Sequence, residues 1–391
     1  MMHLAPSLRD LEPYPFEELD RQKRAALDAG RELIDFGVGD PRDVTPEFIR
    51  DALKNAVAPV SSYPRAAGLP ELRGAIAGWV HARFGVTLDL ASDVLPTLGS
   101  KEPIFSMAQA VVDPAAGRNL VVVTAPGYTI PERGARAAGA EVLRLPLTEA
   151  NGFLPDLDGV DAATWDRTAI LWLNYPNNPT GAVATLAFLE GAAELARRHG
   201  FLLASDEAYS ELWFESGPPP SVLQVGDLTN VVAINTLSKR SSMTGYRSGF
   251  VAGDRQLIEA MKAQRPSVGV TPQEFVQLAS VTAWGDESHV VEQRARYAEK
   301  RALFLDLFQT KGIQVMGSVA TFYLWVKVPG GRRSTTWGSE LLEHGIVVAP
   351  GAYFGPEGEG YVRMAVVPTI EDCRRAADIL FDLLPDPAVT R

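Results

Sequence analysis

Residues 231–249 have the sequence Val-Val-Ala-Ile-Asn-Thr-Leu-Ser-Lys-Arg-Ser-Ser-Met-Thr-Gly-Tyr-Arg-Ser-Gly and give the strongest single indication of the fold. Their first four residues form a continuous apolar run, which is typical of a β-strand covered on both faces. Lys239 follows in a loop rich in hydroxyl groups, and open α/β sheets bind ligands at such strand ends. Thr236, Ser238 and Arg247 suit an anion, which leaves the Lys239 amine for covalent chemistry. Alone, Lys239 would equally be a solvated surface cation.

The chain around this stretch alternates apolar runs with amphipathic helical patterns. Helices are predicted over 100–112 and 185–199, where the latter begins at a threonine and ends before a glycine. This alternation predicts an α/β fold with a mostly parallel sheet covered by helices. The predicted strands are 120–124, 170–174, 201–205, 231–235 and 249–252.

The pattern changes near residue 286 and predicts a second, smaller α+β domain. We predict three parts: an N-terminal segment of residues 1–44 associated with the small domain and the site mouth, a large domain of residues 45–287, and a small domain of residues 288–391. The elements predicted for the small domain are a helix over 288–309, strands in 321–328, 346–349 and 361–367, and a final helix over 370–384.

Composition excludes several classes of protein. The chain has 391 residues, of which 46% are hydrophobic and 22% charged, so it is neither disordered nor fibrous. A net charge of -11 argues against partners such as nucleic acid or an anionic membrane. No apolar run approaches the roughly 20 residues that span a bilayer. The lone Cys373 and an N-terminus without a signal-peptide pattern predict a cytoplasmic protein, and the spacing of the five His residues predicts no metal site.

Two further strand ends carry polar side chains. Asp206 and Tyr209 follow one strand, although a helix cap and a packed aromatic would explain them separately. Residues 174–181, Asn-Tyr-Pro-Asn-Asn-Pro-Thr-Gly, follow another strand and are also compatible with an ordinary turn. Three neighbouring strand ends therefore present an amide, a carboxylate with a phenol, and a lysine with an arginine.

In this order the three motifs resemble the class I and II aminotransferases of pyridoxal 5'-phosphate (PLP) fold type I. The resemblance extends from residues 37–41, Gly-Val-Gly-Asp-Pro, to Arg363 and so covers essentially the whole chain. It implies a large domain with a mostly parallel sheet, a smaller α+β domain, PLP as cofactor, and transfer of an amino group between an amino acid and a keto acid.

The resemblance also implies roles for the strand-end residues. Lys239 is similar to the lysine that bonds covalently to the cofactor, and Asp206 to the partner of the pyridine nitrogen. Tyr209 and Asn178 are similar to the donors to the cofactor's phenolic oxygen. A carboxylate that keeps the pyridine nitrogen protonated makes the ring an electron sink.

The remaining cofactor contacts implied by the resemblance hold the phosphate and the ring. Tyr128 is similar to the aromatic that stacks on the ring, although core packing would also explain it. Tyr63 is similar to a tyrosine that reaches the partner subunit's cofactor phosphate, which implies a homodimer. The implied phosphate ligands are Gly99, Ser100, Lys101, Thr236, Ser238 and Arg247.

Gly39, Asn178 and Arg363 are the implied substrate-binding residues. Arg363 is similar to the arginine that pairs with the substrate α-carboxylate, and the alternative is an edge-strand arginine facing water. The glycines of residues 37–41 lack the third glycine and the preceding buried strand of a dinucleotide fingerprint.

Within the family, four segments resemble N-succinyldiaminopimelate aminotransferases of lysine biosynthesis, with 2-oxoglutarate as acceptor. We expect these segments to lie mostly outside the chemistry, and Arg65 and Arg240 are candidates to meet the distal succinyl group. The four segments are 11–19, 150–155, 218–224 and 237–241.

Several alternatives share the same catalytic residues. Aminotransferases for aspartate, 2-aminoadipate or aromatic amino acids are one group, and a PLP-dependent β-lyase or decarboxylase on the same fold is another. A PLP-binding transcription regulator is disfavoured, because the residues before Gly37 are too few and include Glu12, Glu17 and Glu18 instead of a basic region.

Overall fold

The computed structural model describes residues 2, 9, 13–215 and 217–385, and its centre is a seven-stranded sheet. The described strands, in chain order, are β1 (Ile34–Asp35), β2 (Val94–Thr97), β3 (Leu120–Ala125), β4 (Glu141–Pro146), β5 (Thr168–Asn174), β6 (Leu202–Asp206), β7 (Val231–Thr236), β8 (Gly249–Gly253), β9 (Val315–Met316), β10 (Tyr323–Lys327), β11 (Ile346–Val347), β12 (Ala349–Pro350) and β13 (Tyr361–Ala365).

The central sheet has the order β2-β8-β7-β6-β5-β3-β4. Strands β7, β6, β5, β3 and β4 run parallel to one another, whereas β8 runs antiparallel to both β2 and β7. Ile170 and Leu171 are adjacent in β5, are both fully buried, and belong to different apolar clusters. Both faces of the sheet are therefore covered, and the predicted α/β fold with a mostly parallel sheet is confirmed.

Helices flank the sheet and begin and end largely where the sequence predicts. The Thr185 hydroxyl accepts a hydrogen bond from the Phe188 N–H, and Gly200 ends the same helix in the left-handed conformation. The predicted helix over 100–112 is instead two short helices that meet at Met107. The helices are α1 (Pro15–Asp28), α2 (Glu47–Ala56), α3 (Pro70–Phe84), α4 (Lys101–Ser106), α5 (Ala108–Val111), α6 (Ile130–Ala137), α7 (Ala162–Arg167), α8 (Leu186–His199), α9 (Leu237–Arg240), α10 (Arg255–Val268), α11 (Glu274–Trp284), α12 (Ser288–Thr310), α13 (Ser334–Glu343) and α14 (Ile370–Leu383).

The C-terminal part is built on a second, antiparallel sheet. Its order is β12-β13-β10-β9, and α12 and α14 contribute to the apolar cluster behind it. Because β13 lies between β12 and β10, Arg363 is on an interior strand and is only 4% exposed. The edge-strand alternative for Arg363 is therefore wrong.

The N-terminal part of the chain contacts this second sheet. Strand β1 pairs in parallel with β11, and the Ala365 N–H donates to the Phe36 carbonyl. The following residues, Val38 to Asp40, reach the cavity described below. In the described part of the chain, none of the helices combines the length and the apolar character needed to cross a membrane.

Candidate active site

A cavity of about 400 Å³ lies at the carboxyl ends of β5, β6 and β7. A larger and more open cavity of about 620 Å³ on the small sheet contains none of the predicted site residues. The smaller cavity is lined by Tyr14, Phe16, Asp20, Val38, Gly39, Asp40, Ser100, Lys101, Tyr128, Thr129, Asn178, Asp206, Ala208, Tyr209, Thr236, Ser238, Lys239, Thr244, Arg247, Tyr323, Phe354 and Arg363.

Lys239 lies in α9, the short helix that begins as soon as β7 ends. The Thr236 hydroxyl caps this helix by accepting from the Ser238 N–H. Lys239 Nζ donates to the Gly39 carbonyl at 2.6 Å. Burial lowers the pKa of Lys239 to about 8, opposed by the nearby Asp40 carboxylate. A lysine with that pKa can exchange a proton near neutral pH, as acid-base chemistry requires.

Asp206 is the last residue of β6 and is almost completely buried. Burial raises its pKa to about 6, opposed by a hydrogen bond from the Ala208 N–H and by the charge of Lys239. This contact to Ala208 caps a turn, so the helix cap offered as the alternative for Asp206 is wrong. One backbone hydrogen bond does not replace the hydration that a buried carboxylate loses, so the site favours a further cationic partner.

Arg363 crosses from the small sheet to the cavity and contacts Asn178. Its Nη1 donates to Asn178 Oδ1 at 2.9 Å and its Nη2 to the Gly37 carbonyl at 2.7 Å. Because the Asn178 oxygen accepts from the guanidinium, its amide NH₂ is the group left to donate. Arg363 Nε is buried and has no hydrogen-bond partner among the described residues.

Aromatic rings surround the Arg363 guanidinium and the Tyr209 hydroxyl. The guanidinium carbon lies 4.3 Å from the ring centre of Tyr323 and 4.6 Å from that of Phe354. The hydroxyl groups of Tyr209 and Tyr323 are 2.9 Å apart. Burial, followed by the neighbouring Tyr323, raises the pKa of Tyr209, so its phenol stays protonated and able to donate.

The predicted phosphate ligands form a polar group at one side of the cavity. Gly99 has a φ of +69°, and a Cβ there would lie 2.7 Å from Arg247 Nη2. Arg247 donates from Nη1 to the Thr244 carbonyl at 2.9 Å and from Nη2 to the Leu98 carbonyl at 3.2 Å. Burial, followed by repulsion from Arg247 and Arg133, lowers the pKa of Lys101. Such crowding of cations favours binding of an anion.

Four of the sequence-predicted residues do not line the cavity, and one of them, Arg65, is exposed at the surface of the chain. Gly99 contacts Arg247 without lining the cavity, and Tyr63 is 98% exposed at the surface of the single chain. Arg240 is 1% exposed and lies between the rings of Trp79 and Trp284, so the expectation that it meets a distal substrate group is wrong. Its neighbour Lys239 is in the cavity, and consecutive residues of a helix point in different directions.

Sequence reasoning missed several cavity residues. Tyr14 and Phe16 line the cavity, so the expectation that residues 11–19 lie outside the chemistry is wrong for these two, while residues 11 and 12 are outside the described part. Tyr323 and Asp40 were also missed. Tyr323 is paired in register with Ala365, two residues from Arg363 on the neighbouring strand, and only a correct strand pairing would have found it.

The residues present fit PLP. The near-isolated Asp206 carboxylate suits a protonated pyridine nitrogen, the free Asn178 amide and the Tyr209 phenol suit a phenolate, and the cations near Gly99 suit a phosphate. The fold and this site define a PLP enzyme of fold type I.

The aminotransferase class I and II family matches residues 31–380, and the chain belongs to that family. It is therefore a PLP-dependent aminotransferase that acts on amino acids and keto acids, as the sequence predicts.

Named relatives and solved structures cover nearly the whole chain. The LL-diaminopimelate aminotransferase of Aquifex aeolicus is 37% identical over 388 residues, which are 98% of this chain and 100% of the relative. Substrate-bound BacF from Bacillus subtilis superposes with a TM-score of 0.92 and 31% identity over 100% of both chains. A probable N-succinyldiaminopimelate aminotransferase from Thermus thermophilus has a TM-score of 0.87 and 31% identity, covering 94% of this chain and 100% of that one.

Proposed function

We propose that Lys239 is the residue that bonds to the cofactor and moves the proton during amino transfer. The observation that carries this proposal is a single cavity holding a lysine of lowered pKa, a buried carboxylate and a buried arginine. Bound PLP supplies an electron sink for the substrate Cα. Lys239, once its amine is free, removes the proton from Cα of the amino donor. In the second half-reaction it returns a proton to Cα of the acceptor.

The surrounding residues are proposed to fix the cofactor and the substrate. Asp206 holds a proton on the pyridine nitrogen by its charge, and Tyr209 and Asn178 donate to the phenolic oxygen. Arg363 pairs with the α-carboxylate that all amino and keto substrates share, and its place in the cavity lining supports this role. The Gly39 carbonyl accepts from Lys239 and lies in residues 38–40, which line the cavity.

The phosphate and the ring are proposed to be held by residues from four segments. Arg247 and Lys101 supply positive charge, and Tyr128 stacks on the ring. Residues with hydroxyl or backbone N–H donors complete this set, namely Gly99, Ser100, Thr236 and Ser238.

We infer that the amino donor has a diaminopimelate skeleton and that 2-oxoglutarate is the acceptor. The names of the Aquifex and Thermus proteins support this inference. Lys101 lines the cavity with its Nζ 5.6 Å from the Tyr14 ring centre, and the Arg133 guanidinium lies 5.1 Å from the same ring centre without lining the cavity. These cations suit the distal carboxylate of either LL-diaminopimelate or its N-succinyl derivative.

The active form is proposed to be a homodimer, with Tyr63 of each chain reaching the other chain's phosphate. An exposed apolar surface on and beside α2 and α11 supports a second copy as the partner. The exposed residues of this surface are Phe48, Val57, Val60, Phe275 and Leu278.

Borohydride reduction followed by peptide mapping tests the central assignment. We expect a yellow protein in which reduction fixes PLP on Lys239, and an adduct on Lys101 or any other lysine would contradict the assignment.

A panel of amino donors assayed with 2-oxoglutarate tests the substrate. The panel includes both diaminopimelate forms, aspartate, 2-aminoadipate and an aromatic amino acid. The diaminopimelate forms should have the highest kcat/KM, and release of pyruvate or ammonia in place of amino transfer would favour a β-lyase.

A further inference from the structure

Three consecutive residues of the lysine segment are held by one stretch of chain at the start of α12. Gln293 Nε2 donates to the Lys239 carbonyl at 2.9 Å. Arg240 Nη2 bonds to the Glu287 carboxylate and lies 3.5 Å from the Asp286 carbonyl. The Ser241 hydroxyl lies 2.8 Å from His289 Nε2. The partners are therefore residues 286–293, which are distant in sequence from Lys239 and join α11 to α12.

The contacts to Arg240 are unusual for a purely structural side chain. Its guanidinium is 1% exposed and lies between two indole rings, 5.2 Å from the centre of Trp79 and 4.6 Å from that of Trp284. Arg240 Nε and Nη1 have no hydrogen-bond partner among the described residues. Burying a cation with unsatisfied donors costs free energy, and an apolar side chain of similar size would fill the same space at lower cost.

The other two contacts restrict the backbone of the same segment. Gln293 is 1% exposed and its amide reaches the main chain of Lys239 itself. His289 is held in turn by Asp286, whose carboxylate is 2.7 Å from His289 Nδ1 and also accepts from the His289 N–H. The Ser241 hydroxyl is completely buried, so this arrangement fixes a position and offers no access to a substrate.

We propose that Arg240 and Gln293 are positioning residues that set where the Lys239 amine stands in the cavity, by fixing the Lys239 segment to residues 286–293. The proposal rests on the assignment of Lys239 given under the proposed function. A residue that must bond to a cofactor and then move a proton between two atoms needs a defined position, because a displacement of about 1 Å costs on the order of a hundredfold in rate.

The test compares Arg240→Met and Gln293→Leu with a control, Arg301→Met. Arg301 is also a buried arginine, bonded to Ser318 and Glu215, and lies outside the cavity. Four quantities are measured for each full-length protein: the Tm, the rate at which apoprotein takes up PLP, the pH midpoint of the visible absorbance band, and kcat and KM.

We expect Arg240→Met and Gln293→Leu to lower kcat and the PLP uptake rate by roughly 10- to 100-fold, with KM for the amino donor changed less than about threefold. The pH midpoint of the visible band should shift in both. Arg240→Met and Arg301→Met should both lower the Tm, because each leaves a carboxylate without its partner, but Arg301→Met should leave uptake and kcat within about twofold.

The proposal is overturned if both folded variants keep the uptake rate, kcat and the pH midpoint of the wild type. Should Arg240→Met fail to fold, Gln293→Leu decides alone, because it removes one hydrogen bond and leaves the packing of the two indoles intact. Failure of the assignment of Lys239 is seen separately, since borohydride would then fix the cofactor of the wild-type protein on another lysine.

Discussion

At the scale of single residues, two adjacent buried carboxylates differ in their surroundings. Asp206 belongs to the cavity, whereas Glu207 accepts from the Val222 N–H at 2.7 Å and from the Ser205 hydroxyl at 3.1 Å. Burial raises the pKa of both, to about 6 for Asp206 and about 7 for Glu207. The Asp206 carboxylate, which accepts fewer hydrogen bonds from the protein than Glu207, is the one available to a cationic ring.

The pair provides a matched experiment. Asp206→Asn should keep the fold and bind PLP but lower kcat by roughly 100-fold or more, because the amide cannot hold a proton on the ring by charge. Glu207→Gln should affect the Tm more than kcat. Steady-state kinetics and thermal unfolding of both variants check this, and near-normal turnover of Asp206→Asn would leave it a turn cap only.

Arg363→Lys tests the α-carboxylate site. Lysine cannot form the two parallel hydrogen bonds of a guanidinium, and breaking such a desolvated pair costs roughly 2 to 5 kcal/mol. Measured separately, both half-reactions should lose tens to thousands of fold in kcat/KM, with PLP binding nearly unchanged. If only the amino-donor half-reaction suffers, Arg363 contacts a distal group instead.

The pH at which apoprotein takes up PLP depends on the Lys239 amine. Because the pKa of Lys239 is lowered to about 8, the uptake rate should rise with a midpoint near that pH and well below the ordinary lysine pKa of 10.5. The Asp40 charge favours the protonated amine, so Asp40→Asn should move the midpoint to lower pH. Stopped-flow uptake across pH 6 to 10 measures both, and a midpoint that rises in Asp40→Asn would contradict the sign.

The site residues that could be predicted from the sequence are those that lie at the ends of strands. Asn178, Asp206 and Lys239 each lie at or just beyond a strand end, and parallel strands bring such positions together without further information. Tyr323 and Tyr14 come from segments whose approach to the cavity depends on the packing of the small sheet and of α1. That packing leaves no local pattern in the sequence.

At the scale of elements, strand identity was predictable and strand direction was not. Continuous apolar runs located β3, β5, β6, β7 and β8, because a strand buried on both faces needs no polar alternation. A continuous apolar run does not indicate the direction of a strand, so the antiparallel β8 could not be distinguished from the parallel strands of the same sheet. The helix predicted over 100–112 is divided at Met107, whose backbone angles stay helical while the Ala110 N–H donates to the Met107 carbonyl three residues earlier.

Gly249, the first residue of β8, packs closely against Asn235 of β7 and against Gly99 beside the predicted phosphate ligands. A Cβ there would lie 2.5 Å from the Asn235 carbonyl oxygen and 2.9 Å from the Gly99 carbonyl carbon. Gly249→Ala should therefore push the Gly99 loop away and weaken PLP binding at least about tenfold, by roughly 1.4 kcal/mol. Gly191→Ala is the control, because nothing lies within 4 Å of its Cβ and alanine should stabilise α8 by about 0.5 to 1 kcal/mol. Equal PLP affinity in the two variants would exclude this packing role.

At the scale of the whole molecule, the chain buries its apolar residues in separate clusters. Two clusters lie on the faces of the large sheet, and a third combines residues of β1, β10, β13, α12 and α14. Two of these clusters also include residues from the other side of residue 287, such as Trp325 and Leu212, so the division into residues 1–44, 45–287 and 288–391 stays a prediction. The long helix α12 begins at Ser288, which is where the sequence pattern changes.

The dimer was inferred from resemblance, because a single chain cannot show what covers its surface. Tyr63 is nevertheless informative, since a side chain that is 98% exposed makes almost no contact within its own subunit. Any loss of PLP affinity in Tyr63→Ala must then arise through a second copy. We expect that variant to bind PLP at least about tenfold more weakly, with an unchanged Tm for the apoprotein.

Mixing two defective variants decides whether sites are shared between subunits. Lys239→Ala has no reactive amine, and Tyr63→Ala has no tyrosine to offer its partner. In a mixed dimer, the Tyr63→Ala chain contributes Lys239 to one site and receives Tyr63 from the Lys239→Ala chain, so that site is complete. Random exchange makes half of the dimers mixed with one intact site in two, so at a PLP concentration that leaves Tyr63→Ala homodimers empty an equimolar mixture should recover about one quarter of wild-type activity. A mixture no more active than its components, although light scattering shows exchange into dimers, would mean that each site is built within one chain.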